Sequence, residues 1–312
     1  MMQKITVLGA GTIGMGWAVL FLASGREVTV YDPSPDVEQR MRDFIANAAP
    51  ALRQLGWRAA GDCSQLHFDA DPVSAVRNAD FIQESIPERL ELKHQLYTAI
   101  EPVLQSHTIV ATSTSGLTLS ELQRGFKDPR ALILGHPFNP PHLIPLVELM
   151  VNQHSDDTLL ARTRDFYESL GKEVVTLHRE IPGHIANRLQ AAIWRETIHL
   201  AKEGVASLED IDKAVAYGPG LRWAALGPNA LFHLGGGPGG IEHFCQHLGG
   251  AFESWWNDLG SPDLDAATIS LLKGEMDKVC KKTDSAALTA KRDTLVLEFI
   301  SRIRALDNST RD

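Results

Sequence analysis

The sequence predicts an α/β domain built on a parallel sheet, followed by an all-helical domain. Three observations favour this class. An apolar run near the amino end stops at a glycine-rich turn, further apolar runs alternate with helical patterns up to about residue 180, and only helical patterns follow. At 312 residues the chain is long enough for two domains, each with its own core.

The first strand and its turn have the pattern of a dinucleotide-binding site. The run Lys4–Leu8 is typical of a buried parallel strand, and Gly-x-Gly-x-x-Gly opens the helix predicted from residue 13 to 23. The first glycine permits a tight turn, the second lets the backbone approach a pyrophosphate, and the third lets helix and strand pack closely. The helix N-terminus adds free N–H groups for an anion. The predicted cofactor-binding residues of this turn are Gly9, Gly11, Thr12, Ile13 and Gly14.

A second strand, predicted over residues 26–31, ends in Asp32. This acid follows the glycine turn by about 20 residues, the spacing of a carboxylate that holds the adenosine ribose hydroxyls. Asp32 would repel a 2′-phosphate, and the segment 33–35 supplies no Arg to receive one. The sequence therefore predicts a Rossmann-like domain that binds NAD rather than NADP, in preference to a mere helix-packing turn with a surface Asp.

The remaining elements follow from the spacing of apolar residues. Strands are predicted over residues 66–68, 79–84, 107–111, 131–134, 144–150 and 172–177. Helices between them are predicted over residues 35–55, from Pro87 to 104, from Leu117 onward and over 156–170. Only helices follow, over residues 183–203, 208–217, 229–234, 240–259, 265–282 and 286–306. We therefore predict domains 1–181 and 182–312.

Two segments at the predicted carboxyl edge of the sheet carry candidate catalytic residues. Loops at this edge bind ligands in doubly wound sheets, which makes Ser115 a candidate, although capping of the helix from Leu117 explains it about equally well. His136 stands at a strand end beside two prolines, and an imidazole exchanges protons near neutral pH. Glu148 lies in an apolar strand and needs a partner. A neighbouring imidazole N–H would be that partner, so we predict a His136–Glu148 pair.

The helical half has two candidate residues with alternative roles. A mid-helix Asn is intrinsically unfavourable, so Asn187 either bonds a neighbouring loop or donates to a substrate oxygen. Arg222 lies between a glycine turn and Trp223, and it either binds a carboxylate or pairs with an acid on the surface. The glycine run 235–240 is expected to be flexible.

Composition excludes several classes of protein. The chain is 44% hydrophobic and 22% charged, with a net charge of −9, which argues against nucleic-acid and anionic-membrane partners. Three widely spaced cysteines fit neither a metal site nor a disulfide framework, so we expect no metal and a reducing compartment. The first strand begins too early for a signal peptide, and no apolar run is long enough to span a membrane. We therefore expect a cytoplasmic protein.

These motifs together resemble the 3-hydroxyacyl-CoA dehydrogenase family over nearly the whole chain. The segments that carry the resemblance are the glycine turn with Asp32, residues 84–88 (Glu-Ser-Ile-Pro-Glu), 113–116 (Ser-Thr-Ser-Gly), 136–140 (His-Pro-Phe-Asn-Pro), 146–148 (Leu-Val-Glu) and 183–188 (Gly-His-Ile-Ala-Asn-Arg). The family combines an NAD-binding Rossmann-like domain with an all-α domain that also forms a homodimer interface. The resemblance implies the same architecture here.

The resemblance also implies roles for individual residues. The catalytic His and Glu of the family match His136 and Glu148, and its substrate-contacting Ser and Asn match Ser115 and Asn187. The resemblance implies that Glu88 lies near the nicotinamide side of the cofactor. Ser113 belongs to the same polar motif and is included among the predicted cofactor-binding residues.

Residues 220–224 depart from the family members that act on CoA esters, which have a proline-rich turn there. Gly-Leu-Arg-Trp-Ala is similar to the branch that contains L-carnitine dehydrogenase and L-gulonate 3-dehydrogenase. This resemblance implies oxidation of a small free L-3-hydroxy acid, with carnitine favoured and gulonate, a CoA ester or a crystallin-like role without turnover as alternatives. Arg222 would bind the carboxylate. The candidates for an aromatic cage around a trimethylammonium group are Trp223, Phe232, Trp255 and Trp256.

Overall fold

The computed structural model describes residues 2–309, and of residues 307–309 only the backbone. The chain divides into two compact units, Met1–Ala186 and Asn187–Asp312. The first unit is a sheet with helices on both faces and the second is helical, so the predicted fold class is confirmed. The predicted boundary between residues 181 and 182 stays a prediction.

Over its described residues, 2–186, the first unit contains eight strands and six helices. The strands are β1 Lys4–Leu8, β2 Glu27–Tyr31, β3 Leu66–Phe68, β4 Phe81–Glu84, β5 Ile109–Thr112, β6 Leu132–Pro137, β7 Leu146–Met150 and β8 Glu173–Thr176. The helices are α1 Thr12–Ala23, α2 Val37–Gln54, α3 Pro72–Val76, α4 Leu90–Ile100, α5 Leu119–Gln123 and α6 Leu159–Glu168, with short 3-10 helices at Glu101–Val103 and Pro129–Ala131. Helix α4 begins three residues after Pro87, which therefore precedes the helix instead of opening it.

The strand order in the sheet is β3-β2-β1-β4-β5-β6-β7-β8. All neighbouring strands are parallel except β6 and β7, which form an antiparallel pair. Strands β2 and β3 lie on one side of β1, and β4 to β8 lie on its other side. The crevice where the strand order switches in this way binds nucleotides in this class of fold. The glycine turn after β1 opens into this crevice.

Two apolar cores cover the two faces of the sheet. One contains Trp17 and Phe21 of α1 stacked at 5.5 Å between ring centroids, together with Tyr167 of α6. The other lies beneath α4 and α5 and contains Tyr97 and Phe126. Because both faces are covered, β4, β5 and β6 are buried throughout and β1 is buried after Lys4, which explains why these strands are rich in apolar residues.

The second unit is helical among the residues that the structure describes. Helix α7, Ala186–Lys202, leads into it, and the helices that follow are α8 Leu208–Tyr217, α9 Pro219–Ala225, α10 Pro228–Gly235, α11 Gly240–Asp258, α12 Ala266–Lys282 and α13 Ser285–Ser309, with a 3-10 helix at Gly237–Gly239. Across residues 2–309 no helix combines the length and the apolar character needed to cross a membrane.

Two glycine-containing segments of the second unit differ from their prediction. The turn expected before Arg222 is the start of α9, because Pro219 occupies the first helical turn, where its missing N–H has no helical partner to lose. The run 235–240 is a tight connection between α10 and α11. A Cβ on Gly236 would lie 1.8 Å from the carbonyl oxygen of Gly240, so close backbone approach explains this glycine.

Candidate active site

His136 and Glu148 form a buried cross-strand pair. They are directly opposed in the antiparallel register of β6 and β7, and their side chains are adjacent because opposed residues share a face of the sheet. His136 Nδ1 lies 2.7 Å from Glu148 Oε2. His136 is 5% exposed and Glu148 is fully buried. The hairpin thus converts a spacing of twelve residues along the chain into a hydrogen bond.

The second carboxylate oxygen of Glu148 is bound by the backbone. Oε1 accepts hydrogen bonds from the N–H groups of Ile185 at 2.8 Å and Ala186 at 3.0 Å. Burial raises the pKa of Glu148, but the hydrogen bonds from His136 and from these two N–H groups outweigh burial and hold the pKa below its ordinary value. Glu148 is therefore an ionised acceptor at neutral pH.

This geometry determines which nitrogen of His136 is able to accept a proton. An ionised carboxylate only accepts hydrogen bonds, so Nδ1 of His136 carries the proton and Nε2 keeps its lone pair in the neutral ring. A base oriented by a buried carboxylate is the arrangement that general-base catalysis requires. The pair is thus able to take a proton from a bound hydroxyl group.

The turn after β5 is organised by Glu88. Its Oε1 accepts the backbone N–H groups of Ser115 at 2.9 Å and Gly116 at 2.7 Å, together with the hydroxyl of Thr114. Burial raises the pKa of Glu88, but the hydrogen bonds from Thr114 and Gly116, with the charge of Lys93, lower it overall. Glu88 therefore shapes the turn that carries Ser115. Its predicted contact with the cofactor stays a prediction.

Ser115 does not cap the following helix. The N-cap of α5 is Thr118, whose hydroxyl accepts from the N–H of Glu121, while the Glu121 side chain accepts from the N–H of Thr118. The alternative role for Ser115 is therefore wrong, and its side chain is exposed at the carboxyl edge of the sheet. Its predicted role in substrate binding stays a prediction.

A buried ion pair, which the sequence did not reveal, supports the same loops. Lys93 Nζ lies 2.6 Å from Glu84 Oε1 and 3.7 Å from Glu88 Oε2. The other oxygen of Glu84 accepts the hydroxyl groups of Tyr97 at 2.6 Å and Thr112 at 2.8 Å. The sequence offered one signal for this pair. Lys93 lies four residues before Tyr97 in α4, and this helical spacing places the lysine on the apolar face of the helix.

The glycine turn has the geometry that the fingerprint predicts. Gly9 has φ +94°, and a Cβ there would lie 2.7 Å from the carbonyl oxygen of Ser85. A Cβ on Gly14 would lie 1.8 Å from the carbonyl oxygen of Gly9. By contrast, no described atom lies within 4 Å of a Cβ built on Gly11. Gly9 and Gly14 are needed by the fold itself, whereas Gly11 leaves open the space where a pyrophosphate would approach.

The first turn of α1 fits an anionic group. Gly11 is the N-cap and provides no side-chain acceptor, so the helix begins without a side-chain cap at Thr12 and Ile13. No acidic residue lies in this first turn. The N–H groups and the positive end of the helix dipole therefore suit the pyrophosphate of a dinucleotide.

Asp32 lies at the end of β2 beside this turn. Its two oxygens accept the N–H groups of Ala10 at 2.7 Å and Ser34 at 3.0 Å, which fixes the carboxylate beside the glycine turn. Its predicted contact with the ribose hydroxyls stays a prediction. Sequence reasoning overlooked Arg40 of α2, whose Nη2 donates to the Ala10 carbonyl at 2.6 Å and whose Nη1 lies 3.3 Å from Asp36. Because Arg40 already binds the turn and Asp36, its charge is not directed at a 2′-phosphate. This agrees with a site for NAD rather than NADP.

Ser113 belongs to a chain of hydrogen bonds that begins at the buried Tyr167. Tyr167 donates to Gln83 Oε1 at 2.6 Å, and Gln83 Nε2 donates to Ser113 Oγ at 2.9 Å. Ser113 Oγ is also 2.9 Å from Ser85 Oγ. Burial strongly raises the pKa of Tyr167, which therefore remains a donor. The predicted role of Ser113 in cofactor binding stays a prediction, and this chain fixes its hydroxyl.

The other predicted substrate residues belong to the second unit. Asn187 is half-buried in α7, Trp223 is half-buried in α9, and Arg222 is exposed in α9. Trp255 and Trp256 pack around Phe252 with ring centroids at 4.9 and 6.2 Å. Phe232 joins the same cluster at 5.4 Å from Phe252, among further aromatic contacts. The predicted roles of these residues stay predictions.

Alanine substitution at Gly11 and Gly14 is expected to separate binding from folding. Gly14→Ala should destabilise the turn and lower the melting temperature, because its Cβ overlaps the Gly9 carbonyl. Gly11→Ala should leave the melting temperature close to that of the wild type, because a Cβ there meets open space. It should weaken NAD binding about tenfold or more, because that space is where the fingerprint predicts the phosphates to approach. Calorimetry and NADH fluorescence titration measure the two effects. Equal NAD affinity in wild type and Gly11→Ala would contradict this assignment.

Comparison with known proteins identifies relatives over the whole chain. The model of the 3-hydroxyacyl-CoA dehydrogenase NAD-binding domain matches residues 4–181, and that of the 3-hydroxyacyl-CoA dehydrogenase C-terminal domain matches residues 183–260. The L-carnitine dehydrogenase of Nocardiopsis dassonvillei is 42% identical over 309 residues, which cover 99% of this chain and 93% of that protein. The L-carnitine dehydrogenase of Streptomyces coelicolor is 41% identical over 298 residues, covering 96% and 94%.

A solved structure shares the complete architecture. The crystal structure of 5-formyl-3-hydroxy-2-methylpyridine 4-carboxylic acid 5-dehydrogenase, an NAD⁺-dependent dismutase, superposes with a TM-score of 0.81 and 30% identity, covering 97% of this chain and 98% of that one. The arrangement of the NAD-binding sheet followed by helices is thus common to both chains.

Proposed function

We propose, since the chain belongs to the 3-hydroxyacyl-CoA dehydrogenase family and is an NAD-dependent oxidoreductase, that it oxidises the 3-hydroxyl group of L-carnitine to give 3-dehydrocarnitine. The observation that carries the chemistry is the buried His136–Glu148 pair at the carboxyl edge of the sheet. The choice of substrate rests on relatives named L-carnitine dehydrogenase that align with nearly the full chain.

The reaction needs a proton acceptor, a hydride acceptor and a group that holds the reacting oxygen. His136 Nε2 takes the hydroxyl proton while the C3–H bond breaks, and Glu148 stabilises the imidazolium that forms. Bound NAD supplies the hydride-accepting chemistry. Ser115 and Asn187 donate hydrogen bonds to the C3 oxygen. The proton is thus retained by the protein and the two electrons leave with the hydride.

The trimethylammonium group of carnitine is separated from C3 by one methylene, so its nitrogen lies about 2.5 Å from the reacting carbon. An aromatic partner for the cation must therefore lie close to His136. Phe138 meets this requirement, because its ring centroid is 6.0 Å from that of His136. Cation–π attraction acts within about 6 Å of a ring centroid. Phe138, which sequence reasoning did not single out, therefore joins the aromatic residues proposed for the ammonium group.

A substrate panel tests the proposed function. L-Carnitine, L-gulonate, L-3-hydroxybutyrate and 3-hydroxybutyryl-CoA are each incubated with NAD⁺ at alkaline pH, and NADH formation is followed for wild type and Arg222→Ala. We expect turnover of L-carnitine and a fall in kcat/KM of about 10- to 100-fold in the variant, since an Arg–carboxylate hydrogen bond contributes about 1.5–3 kcal/mol.

The matched control is Arg292→Ala, which removes another exposed arginine of the second unit, paired with Asp293. It should leave kcat/KM unchanged. Turnover of L-gulonate would retain the reaction class and change the substrate. Turnover of the CoA ester alone, with no effect of Arg222→Ala, would contradict both the carnitine assignment and the carboxylate role. No NADH from any member of the panel would favour a crystallin-like role.

The second unit supports a further proposal, a homodimer formed through the helical domain. Large apolar side chains are exposed on it, including Leu189, Trp194, Tyr217, Leu221, Trp255 and Trp256. Exposed apolar surface on this scale is typical of a protein–protein interface. Light scattering is expected to give twice the chain mass of 34.2 kDa. A mass of one chain at micromolar concentration would contradict the dimer.

The sequence-based expectation of a cytoplasmic protein stays a prediction.

A further inference from the structure

His184 occupies an unusual position beside the candidate catalytic pair. It is 4% exposed, and its backbone has φ +53°, the one positive φ at a non-glycine position between residues 2 and 309. Histidine is among the few residue types enriched in this left-handed conformation. The bend lies just before Ile185 and Ala186, whose N–H groups bind Glu148. His184 thus directly precedes the two residues that bind the carboxylate of Glu148.

The ring of His184 lies between two parts of the site. Its centroid is 4.9 Å from that of His136. Its Nε2 is 3.2 Å from the carbonyl oxygen of Thr114, in the turn that carries Ser115. The ring therefore links the turn after β5 to the catalytic imidazole of β6.

The protonation of His184 follows from these contacts. A carbonyl only accepts, so Nε2 carries the proton and donates to Thr114. Nδ1 is then a buried lone pair, and it has no hydrogen-bond partner among the residues that the structure describes. Burial lowers the pKa of His184, and the nearby His136 lowers it further, against the opposing effects of the Thr114 carbonyl, Glu148 and Glu88. The ring is neutral at neutral pH.

An apolar ring would fill the same volume without burying an unpaired nitrogen. Buried polar groups in folded proteins are normally paired, so the polar ring at this position indicates a requirement for its donor. The donor has one target in the described contacts, the Thr114 carbonyl. The N–H group of the same peptide unit belongs to Ser115, and it donates to Glu88.

We propose that His184 is a positioning residue for catalysis: by donating from Nε2 to the Thr114 carbonyl, it fixes Ser115 relative to His136. Glu88 binds the N–H side of the turn and His184 binds its carbonyl side, so the turn is held from both directions. This assignment rests on the proposed function for the identity of the reacting hydroxyl group.

The test compares His184→Gln with His184→Phe. Gln retains an N–H donor at a reach similar to that of Nε2, while Phe retains the ring volume and loses the donor. Neither side chain favours a positive φ, so both variants carry a similar backbone cost. Each is assayed with whichever member of the substrate panel the wild type oxidises, as both the protiated and the C3-deuterated compound. NADH affinity is measured by fluorescence.

We expect His184→Phe to lose about 10- to 100-fold in kcat, with NADH affinity unchanged and a larger deuterium isotope effect, because hydride transfer becomes slower in a misaligned site. His184→Gln should recover most of the kcat and the wild-type isotope effect. The isotope effect does not depend on the fraction of enzyme that is folded, so it separates positioning from stability.

Wild-type values in His184→Phe would overturn the proposal, as would a His184→Gln variant no better than His184→Phe. A fall in kcat without any change in the isotope effect would assign His184 to folding alone, and would overturn it too. The choice of substrate by the wild type decides the proposed function separately. Failure of the carnitine assignment and failure of the His184 assignment are therefore distinct results.

Discussion

Replacing His136 with Gln is expected to lower kcat by about 10²- to 10⁴-fold, the usual contribution of a general base. Gln is a neutral hydrogen-bonding side chain of similar size, but its amide cannot take the hydroxyl proton. NAD binding should persist, because the glycine turn and Asp32 lie on other strands of the sheet. Stopped-flow measurement of NADH formation and fluorescence titration of NADH measure the two properties in the same preparation.

The chain contains a matched control for this substitution. His107 Nε2 lies 3.2 Å from Asp80 Oδ1. His107 is exposed and Asp80 is half-buried, and the pair lies at the amino ends of β4 and β5, away from the carboxyl edge. His107→Gln should therefore retain wild-type kcat. Full activity in His136→Gln would exclude the proposed mechanism. Loss of both activity and NADH binding would instead indicate damage to the fold.

Glu148→Gln is expected to reduce kcat by a similar factor, roughly 10²- to 10⁴-fold, for a different reason. The amide oxygen can still accept from Ile185 and Ala186, which leaves the amide nitrogen facing His136 Nδ1. Two donors then meet, so His136 is driven to the tautomer that carries its proton on Nε2. That tautomer cannot take the substrate proton.

The same variant should change the pH dependence of stability. Because the folded protein lowers the pKa of Glu148, the carboxylate stabilises the fold above the pKa of the unfolded chain, and this contribution is lost as pH falls through the folded value. Glu148→Gln should thus be less stable at pH 7 and approach the wild type below about pH 4. Denaturation by urea at several pH values measures this difference. A constant stability gap across pH would show that folding does not shift the pKa of Glu148, and would contradict the ionised, hydrogen-bonded carboxylate.

The NAD-binding half was predictable from sequence because its signals are local. Gly9, Gly11 and Gly14 follow a strand directly, and Asp32 ends the next one, so spacing alone indicates their shared edge. The pair of His136 and Glu148 was predictable for a different reason. A carboxylate within an apolar strand requires a partner, and few residues nearby offer one.

The sequence by itself determined the succession of most strands and helices along the chain, the glycine turn and the candidate pair of His136 and Glu148, since each is indicated by local patterns of apolar, glycine and ionisable residues. Only the tertiary structure decided which groups support them: Glu88 on the Ser115 turn, Lys93 with Glu84, and His184 with Thr114. These contacts join segments from 9 to 70 residues apart. Strand register and helix packing bring such segments together, and neither leaves a periodic signal in the chain.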